Sequence, residues 1–296
     1  MNFSEFMTIT AKTVDAALDR YLPPETADPK VIHASMRYSV FAGGKRIRPA
    51  LTLAAAKAVG GDQARALPAA CAIELIHTYS LIHDDLPAMD NDDMRRGKPT
   101  NHKVFGEDIA ILAGDALFTH ALHLLVQVGR DTGISPSVLL TVVEEVTKAC
   151  GSSGLIGGQM MDLMAEGKSL VEEDLVRIHS AKTGALFRVA VRAGAMLGGG
   201  SDEDLAVLTA YAENFGLAFQ ITDDILDVTG DQAVIGKLVG SDARNRKTTY
   251  ATLFGIPEAR RKAEQACSEA LTALDRLGKE ADFLRHAVQF VALREY

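Results

Sequence analysis

This chain of 296 residues contains no tryptophan, only three cysteines, and aromatic side chains at 6% of its positions. Cys71, Cys150 and Cys267 are scattered, odd in number and outside CxxC spacing, which points to neither a disulfide framework nor a zinc site. No run of about 20 apolar residues is present, so no membrane span is expected. Met1-Asn2-Phe3-Ser4-Glu5 carries neither a basic region nor an apolar core, against a signal peptide. Positive charge is also lacking: the formal net charge is −8, which argues against general nucleic-acid or anionic-membrane binding. With 47% hydrophobic residues and a mean hydropathy of +0.06, the chain reads as a soluble, cytoplasmic, globular protein with a large core.

What is there is helical periodicity nearly throughout. Stretches 10–22, 67–85, 109–128, 138–150, 170–196 and 203–228 all place apolar residues at i, i+3, i+4, i+7. Several are apolar on most sides, as buried helices of a large bundle are. Breakers fall between them at Pro23-Pro24, Gly43-Gly44, Gly60-Gly61, Gly129, Gly157-Gly158 and Gly198-Gly199-Gly200. Alternating strand patterns, repeats and low-complexity stretches are absent. The expectation is one all-α domain over 1–296, a single bundle of ten or more helices.

Two aspartate clusters carry the chemistry: Asp84-Asp85-Leu86-Pro87-Ala88-Met89-Asp90 and Asp223-Asp224-Ile225-Leu226-Asp227. Close carboxylates repel by roughly 1–4 kcal/mol per pair at surface-like dielectric. A single cluster reads equally as a solvated acidic turn; two, each beside an apolar run and followed by basic residues, call for a cation between them. Oxygen-only ligands suit a hard metal, and Mg²⁺ takes one or two carboxylates plus substrate phosphates. Gln220, Asp223 and Asp227, spaced i, i+3, i+7, share one helical face. In the first cluster Pro87 should end the helix near Asp85 and let the following turn bring Asp90 back towards the same cation. Acidic residues at a helix C-terminus oppose the helix dipole, so they stand there against stability.

Anion binders surround these clusters. Gly43-Gly44-Lys45-Arg46-Ile47-Arg48 is a glycine turn with three cations, suited to a phosphate or, equally, a solvated basic turn. His77 lies on the face of Asp84, two turns earlier, where a satisfied core histidine is the competing reading. Arg95-Arg96 follows the first cluster and balances its charge at the least. Lys182-Thr183-Gly184 interrupts an apolar helix, where a buried lysine needs a partner. Lys237 and Lys247 follow the second cluster in a polar loop that could simply solvate them.

GGKRIRP, SLIHDDLPAMDNDDMRRGKPT, AGDAL, GGQMMDL, HSAKTGALF, GLAFQITDDILD and a GK…GSD…KTTY tail occur in this order. Together they resemble the trans-isoprenyl diphosphate synthases, most nearly the bacterial farnesyl diphosphate synthases. The resemblance implies the isoprenoid-synthase helical bundle, with a central cavity between helices. It implies that Asp84, Asp85, Asp90, Asp223, Asp224 and Asp227 hold three Mg²⁺ ions on an allylic diphosphate. Arg95, Lys182 and Lys237 would contact that diphosphate, and Lys247 would help close the site over it. Lys45, Arg48, His77 and Arg96 would bind isopentenyl diphosphate, while Thr183, Gln220 and the Lys182 carbonyl would flank the developing cation. A loop over 236–250 would exclude water. Asn91 and Arg244-Asn245-Arg246 depart from the family pattern, the latter in that loop.

The implied reaction is a C5 chain elongation: the allylic C–O bond ionises, isopentenyl diphosphate attacks, and the released diphosphate takes the proton. The resemblance also implies a homodimer, with the 109–125 helix as an interface element or, equally, a helix buried in the monomer. The fifth and fourth residues before Asp84, Tyr79 and Ser80, would set the pocket floor. Tyr79 lies roughly 7–8 Å below Asp84 along the axis, so the expected product is C15 from dimethylallyl and geranyl diphosphate. A geranylgeranyl diphosphate synthase making C20 is the alternative. A terpene cyclase is disfavoured by the absent tryptophan and the all-aspartate second cluster, and a non-catalytic subunit by the full set of Asp, Lys and Arg positions.

Overall fold

The apolar stripes fold into helices that share cores instead of standing alone. The structure is a computed structural model and describes residues 3–131, 133–229 and 247–292. Helix α1 (Phe3–Tyr21) buries Val14, Ala17 and Leu18. It is followed by α2 (Lys30–Val40), α3 (Ile47–Ala58) and α4 (Gln63–Asp84). Helix α4 starts on a capping bond from Ala64 N to the Asp62 side chain at 2.9 Å. It is buried almost all round, from Ala66 to Ile82, as its unbroken apolar pattern requires.

Next come a short α5 (Asn101–Phe105), the long α6 (Glu107–Asp131), α7 (Pro136–Cys150) and α8 (Leu155–Ala165). The stretch 170–196, expected as one helix, is instead α9 (Glu172–His179), a π-helical turn (Ser180–Gly184) and α10 (Ala185–Leu197). A single π turn inside a helical run is a frequent mark of a functional site. Helix α10 joins the two larger cores. Leu186, Val189, Ala190 and Ala193 belong to the one built with α1, α4, α6 and α7. Phe187, Val191 and Ala195 belong to the one built with α3 and α11 (Asp202–Thr229). The C-terminal helices α12 (Tyr250–Phe254), α13 (Ile256–Ala273) and α14 (Asp282–Ala292) close the bundle.

Helix α11 begins with Asp202, Glu203 and Asp204 and carries no basic residue in its last turn. Ser201 and Asp204 cap its start reciprocally, at 2.9 and 3.2 Å. The favourable charges sit at its N-terminus, while Asp223, Asp224 and Asp227 oppose the dipole at the other end. Among the described residues the only strands are a two-residue ribbon, Met94–Arg95 paired with Lys98–Pro99. One helix departs from the expectation on apolar runs: an 18-residue window within 107–129 has a mean hydropathy of 1.7, and the stretch has the length of a membrane span. In this fold its Ala110, Ala113, Leu117, Ala121 and Leu125 are buried in the bundle core, while Ile111, Leu112 and Val126 are exposed and 39% of that window is buried.

Candidate active site

The first acidic cluster forms as the proline dictates. Helix α4 ends at Asp84, Pro87 starts a turn, and the Asp90 amide donates to the Asp84 carbonyl at 2.9 Å. Asp84 and Asp90 therefore stand on the same turn, and Asn91 closes it at φ +52°. Asp85 is turned inward to Arg95, whose Nε and Nη2 approach its carboxylate at 2.5–2.8 Å. Burial pushes the Asp85 carboxyl up and Arg95 pulls it part of the way back. Among the described residues no cation bonds Asp84 directly. Burial, helped by repulsion from Asp90 and Asp85, outweighs the pull of Lys182 and Arg95 and pushes its carboxyl up to about 6.

A group of basic residues acts on His77 of α4. Arg96, at φ +53°, donates to the Gly43 carbonyl and lies flat on the glycine turn. A Cβ on Gly44 would meet the Arg96 guanidinium at 2.6–2.9 Å, and Gly44 itself sits at φ +131°, so only glycine fits. Arg48 is held 4.4 Å over the Phe187 ring, with its Nε buried and without a hydrogen-bond partner. Burial lowers the Arg48 guanidinium to about 10, against the pull of Glu74 and Asp223. Burial first, then Arg48, Arg96 and Arg95, hold His77 well below the ordinary imidazole range. It is a neutral hydrogen-bonding group in a cationic pocket. Lys45 is exposed at the rim, 5.5 Å from the Phe290 ring.

One of the three turn cations does not face this pocket. Arg46 is 3% exposed and bonds Asp15 at 2.8 Å, Glu74 at 2.8 Å and the Val40 carbonyl at 2.6 Å. It anchors the turn that presents Lys45 and Arg48. Its partners lie on other helices, where no local pattern reveals them.

The π turn supplies the third element. Gly158 of α8 packs directly on it: a Cβ there would lie 2.2 Å from Lys182 N and 2.5 Å from its Cα. This approach brings Asp162 Oδ2 within 2.6 Å of Lys182 Nζ. The same oxygen accepts from Lys247 Nζ at 3.0 Å, and Lys247 also reaches Asp90 Oδ1 at 3.3 Å. Thr183 Oγ1 donates to Gln220 Oε1 at 2.9 Å, and Gln220 Nε2 donates to Asp224 Oδ1 at 3.0 Å. Asp224 Oδ2 accepts from the Tyr250 amide at 2.9 Å. Gln220, Asp223 and Asp227 share the half-buried face of α11, while Asp224 is 3% exposed, as the spacing implied. Lys237 and the loop positions 236–246 lie outside the described residues; of that loop Lys247 to Tyr250 is described.

Sequence reasoning passed over Asp162, Gln159 and His179. Both amide atoms of Gln159 and Nδ1 of His179 are buried without a hydrogen-bond partner, and burial lowers the His179 imidazole to about 4. The GGQMMDL string held the first two, one turn apart on α8.

Below the first cluster, Tyr79 is 7% exposed and meets Phe118 of α6 edge-on, ring centroids 5.0 Å apart. Its hydroxyl is buried without a partner. Ser80 bonds back to the His77 carbonyl at 2.9 Å. A separate surface cleft of about 520 Å³, lined by His33, Asp115, His120 and His123, shares no residue with these groups.

The donor set fits a hard divalent cation in chemistry: it is oxygen only, and the Asp84 carboxylate is under-neutralised. Among the described residues no three His, Cys, Asp or Glu side chains are drawn together as a finished metal site. Asp85 and Asp224 are engaged by Arg95 and by Gln220 with the Tyr250 amide, and Asp90 by Lys247. A cation arriving with its own phosphate oxygens is what such a set accommodates.

Fold and site together define an all-helical protein with two acidic clusters at helix C-termini and lysine and arginine side chains beside them. The polyprenyl synthetase family pattern matches residues 29–289, and the chain belongs to that family. It is 46% identical to a farnesyl diphosphate synthase of Geobacillus stearothermophilus, over all of this chain and 99% of that one. It is also 46% identical to a chloroplastic geranylgeranyl pyrophosphate synthase of Capsicum annuum, over all of this chain and 78% of that one. The crystal structure of an FPP/GFPP synthase from Zymomonas mobilis superposes with a TM-score of 0.88 at 37% identity, covering 98% of this chain and 99% of that one. A geranylgeranyl pyrophosphate synthetase from Pyrococcus horikoshii gives 0.87 at 36% identity, with 99% and 98% covered. The chain is a short-chain trans-prenyl synthase, a prenyltransferase of isoprenoid synthesis.

Proposed function

We propose that the chain condenses isopentenyl diphosphate with dimethylallyl and then geranyl diphosphate and releases farnesyl diphosphate, C15. The observation that carries the product length is Tyr79, locked against Phe118 one to two turns below Asp84. A growing chain held by its diphosphate at Asp84 and Asp90 runs down α4 and meets this ring pair after two additions. Overpacking costs about 1–3 kcal/mol, enough to suppress a third addition several-fold. A C20 product is the second reading, supported by equal identity to a geranylgeranyl pyrophosphate synthase.

In this reading the allylic diphosphate is bound by Arg95, Lys182, Lys237 and Lys247. Asp84, Asp85, Asp90, Asp223, Asp224 and Asp227 would hold Mg²⁺, which when bound would supply charge neutralisation at the diphosphate leaving group. Lys45, Arg48, His77 and Arg96 hold isopentenyl diphosphate, with neutral His77 as a hydrogen-bonding partner among cations. The Lys182 carbonyl, Thr183 and Gln220 turn oxygen dipoles towards the allylic cation. Among the described residues no side chain in the site is an evident base, so the released diphosphate takes the proton. Asp85 and Asp224 begin bonded to Arg95 and Gln220, which couples cation binding to the orientation of those two groups.

A cytoplasmic homodimer completes the reading; Ile111, Leu112 and Val126 of α6 and Leu140 of α7 are exposed apolar side chains suited to a subunit contact. Chelation tests the metal requirement. EDTA should abolish condensation and excess Mg²⁺ restore it, whereas turnover that persists in EDTA contradicts the role given to the aspartates.

A further inference from the structure

Four charged groups form an alternating row across the site: Asp90, Lys247, Asp162 and Lys182, joined at 3.3, 3.0 and 2.6 Å. The row runs from the first acidic cluster to the π turn. Both lysines converge on one oxygen, Oδ2 of Asp162. Two ammonium groups brought this near repel each other unless an anion stands between them, and Asp162 is the anion shared by both. We propose that Asp162 is a positioning residue for the condensation, fixing the separation and aim of the Lys182 and Lys247 ammonium groups before the allylic diphosphate binds. The inference rests on the reading of those lysines as diphosphate ligands.

The surroundings support a built arrangement. Gly158 seats α8 directly on the π turn, so the distance from Asp162 to Lys182 is set by backbone contact. Thr248 Oγ1 donates to the Lys168 carbonyl at 3.0 Å, and the Tyr250 amide donates to Asp224. These bonds anchor the chain on either side of Thr249, directly after Lys247. Burial pushes the Asp162 carboxyl up, but Lys182 and Lys247 outweigh it and hold the group below the usual carboxylate range. The row also suggests an exchange. A cation engaging Asp90 removes one partner of Lys247, and Asp162 keeps the ammonium within reach of the incoming diphosphate. Preorganised charge of this kind lowers the reorganisation needed on binding.

Asp162→Asn keeps the shape and removes the charge. Its test is calorimetric titration with Mg²⁺ and inorganic pyrophosphate, alongside steady-state kinetics for both substrates. The variant should bind pyrophosphate at least tenfold more weakly and raise KM for geranyl diphosphate by a similar factor. KM for isopentenyl diphosphate should stay within twofold. Asp162→Glu should recover at least half of the loss on a logarithmic scale, and in a Lys247→Ala background Asp162→Asn should cost less than it does in the wild type, since only the pairing with Lys182 is left to lose. Undiminished pyrophosphate binding by a folded Asp162→Asn protein overturns the proposal, and so does an equal rise in both KM values with a lowered melting temperature. Should Asp162→Asn fail to fold, Asp162→Glu and Lys247→Ala carry the test: non-additive losses support the pairing and additive losses overturn it. Wild-type protein in the same runs separates the two levels. If it condenses nothing, the functional reading fails; if it condenses and the variant binds pyrophosphate as it does, only the role of Asp162 fails.

Discussion

Thr183 Oγ1 donates a 2.9 Å hydrogen bond to Oε1 of Gln220, and this bond with the one from Nε2 to Asp224 decides which way the amide points. The carbonyl oxygen keeps one lone pair beyond the Thr183 bond. That oxygen is available to a cation forming beside the π turn, and Asp224 holds the amide in this orientation.

Replacing Gln220 by Leu removes the dipole and leaves Thr183 and Asp224 without their partner. A group that acts on the developing cation alters kcat more than KM. The expected result is a fall in kcat of about 10²-fold, in the range for loss of one preorganised dipole, with both KM values within about threefold. Steady-state kinetics checks it; a purely KM effect places Gln220 in substrate binding.

Tyr79 separates ring volume from hydroxyl chemistry. Tyr79→Phe removes a buried hydroxyl that has no partner, so the melting temperature should stay level or rise, and the product should remain C15. Tyr79→Ala should shift product towards C20 and beyond, at a stability cost of about 3–5 kcal/mol for a truncated aromatic against Phe118. Chromatography of the dephosphorylated products reads chain length, and calorimetry reads stability. A well-folded Tyr79→Ala protein that still stops at C15 moves the floor elsewhere.

Asp84 makes stability depend on pH. Its folded carboxyl is raised to about 6 from the ordinary 3.8, so the folded state binds the proton more tightly than the unfolded state. Its contribution is fully present below the unfolded value and is lost as pH rises through about 6. Metal-free Asp84→Asn should therefore melt higher than wild type at pH 7.5, with the difference fading near pH 4. Saturating Mg²⁺ and pyrophosphate should reverse the order at pH 7.5, since ligand at 100 times its dissociation constant adds about 2.7 kcal/mol to wild type alone. Thermal melts across pH check both; a variant that melts lower than metal-free wild type at pH 7.5 contradicts the charge-strain reading.

Gly44→Ala should act on the second substrate alone. The added methyl strains a backbone at φ +131° and displaces the Arg96 guanidinium. KM for isopentenyl diphosphate should rise about tenfold or more while KM for geranyl diphosphate changes little. Equal changes in both would separate Arg96 from the isopentenyl diphosphate pocket.

Much of the fold was legible because buried helices impose a 3.6-residue period, and Pro87 announced the turn that returns Asp90 to Asp84. The face shared by Gln220, Asp223 and Asp227 was equally readable from spacing. Arg46 was not, because Asp15 and Glu74, which draw it inward, are set by tertiary packing. Lys182-Thr183-Gly184 showed as a polar interruption of an apolar pattern, but the π turn at Ser180–Gly184 did not; it has no composition of its own and is braced by Gly158 from another helix. Asp162 had no carboxylate neighbours to mark it, and its meaning comes only from the two lysines that the fold brings to it.

The most direct measurement is the chain length made by purified protein given Mg²⁺, isopentenyl diphosphate and geranyl diphosphate, read by mass spectrometry of the diphosphates. The expected result is farnesyl diphosphate as the end product, with little C20 even at long incubation. A dominant C20 product would contradict the Tyr79–Phe118 floor, and the absence of any condensation would contradict the two-cluster site itself.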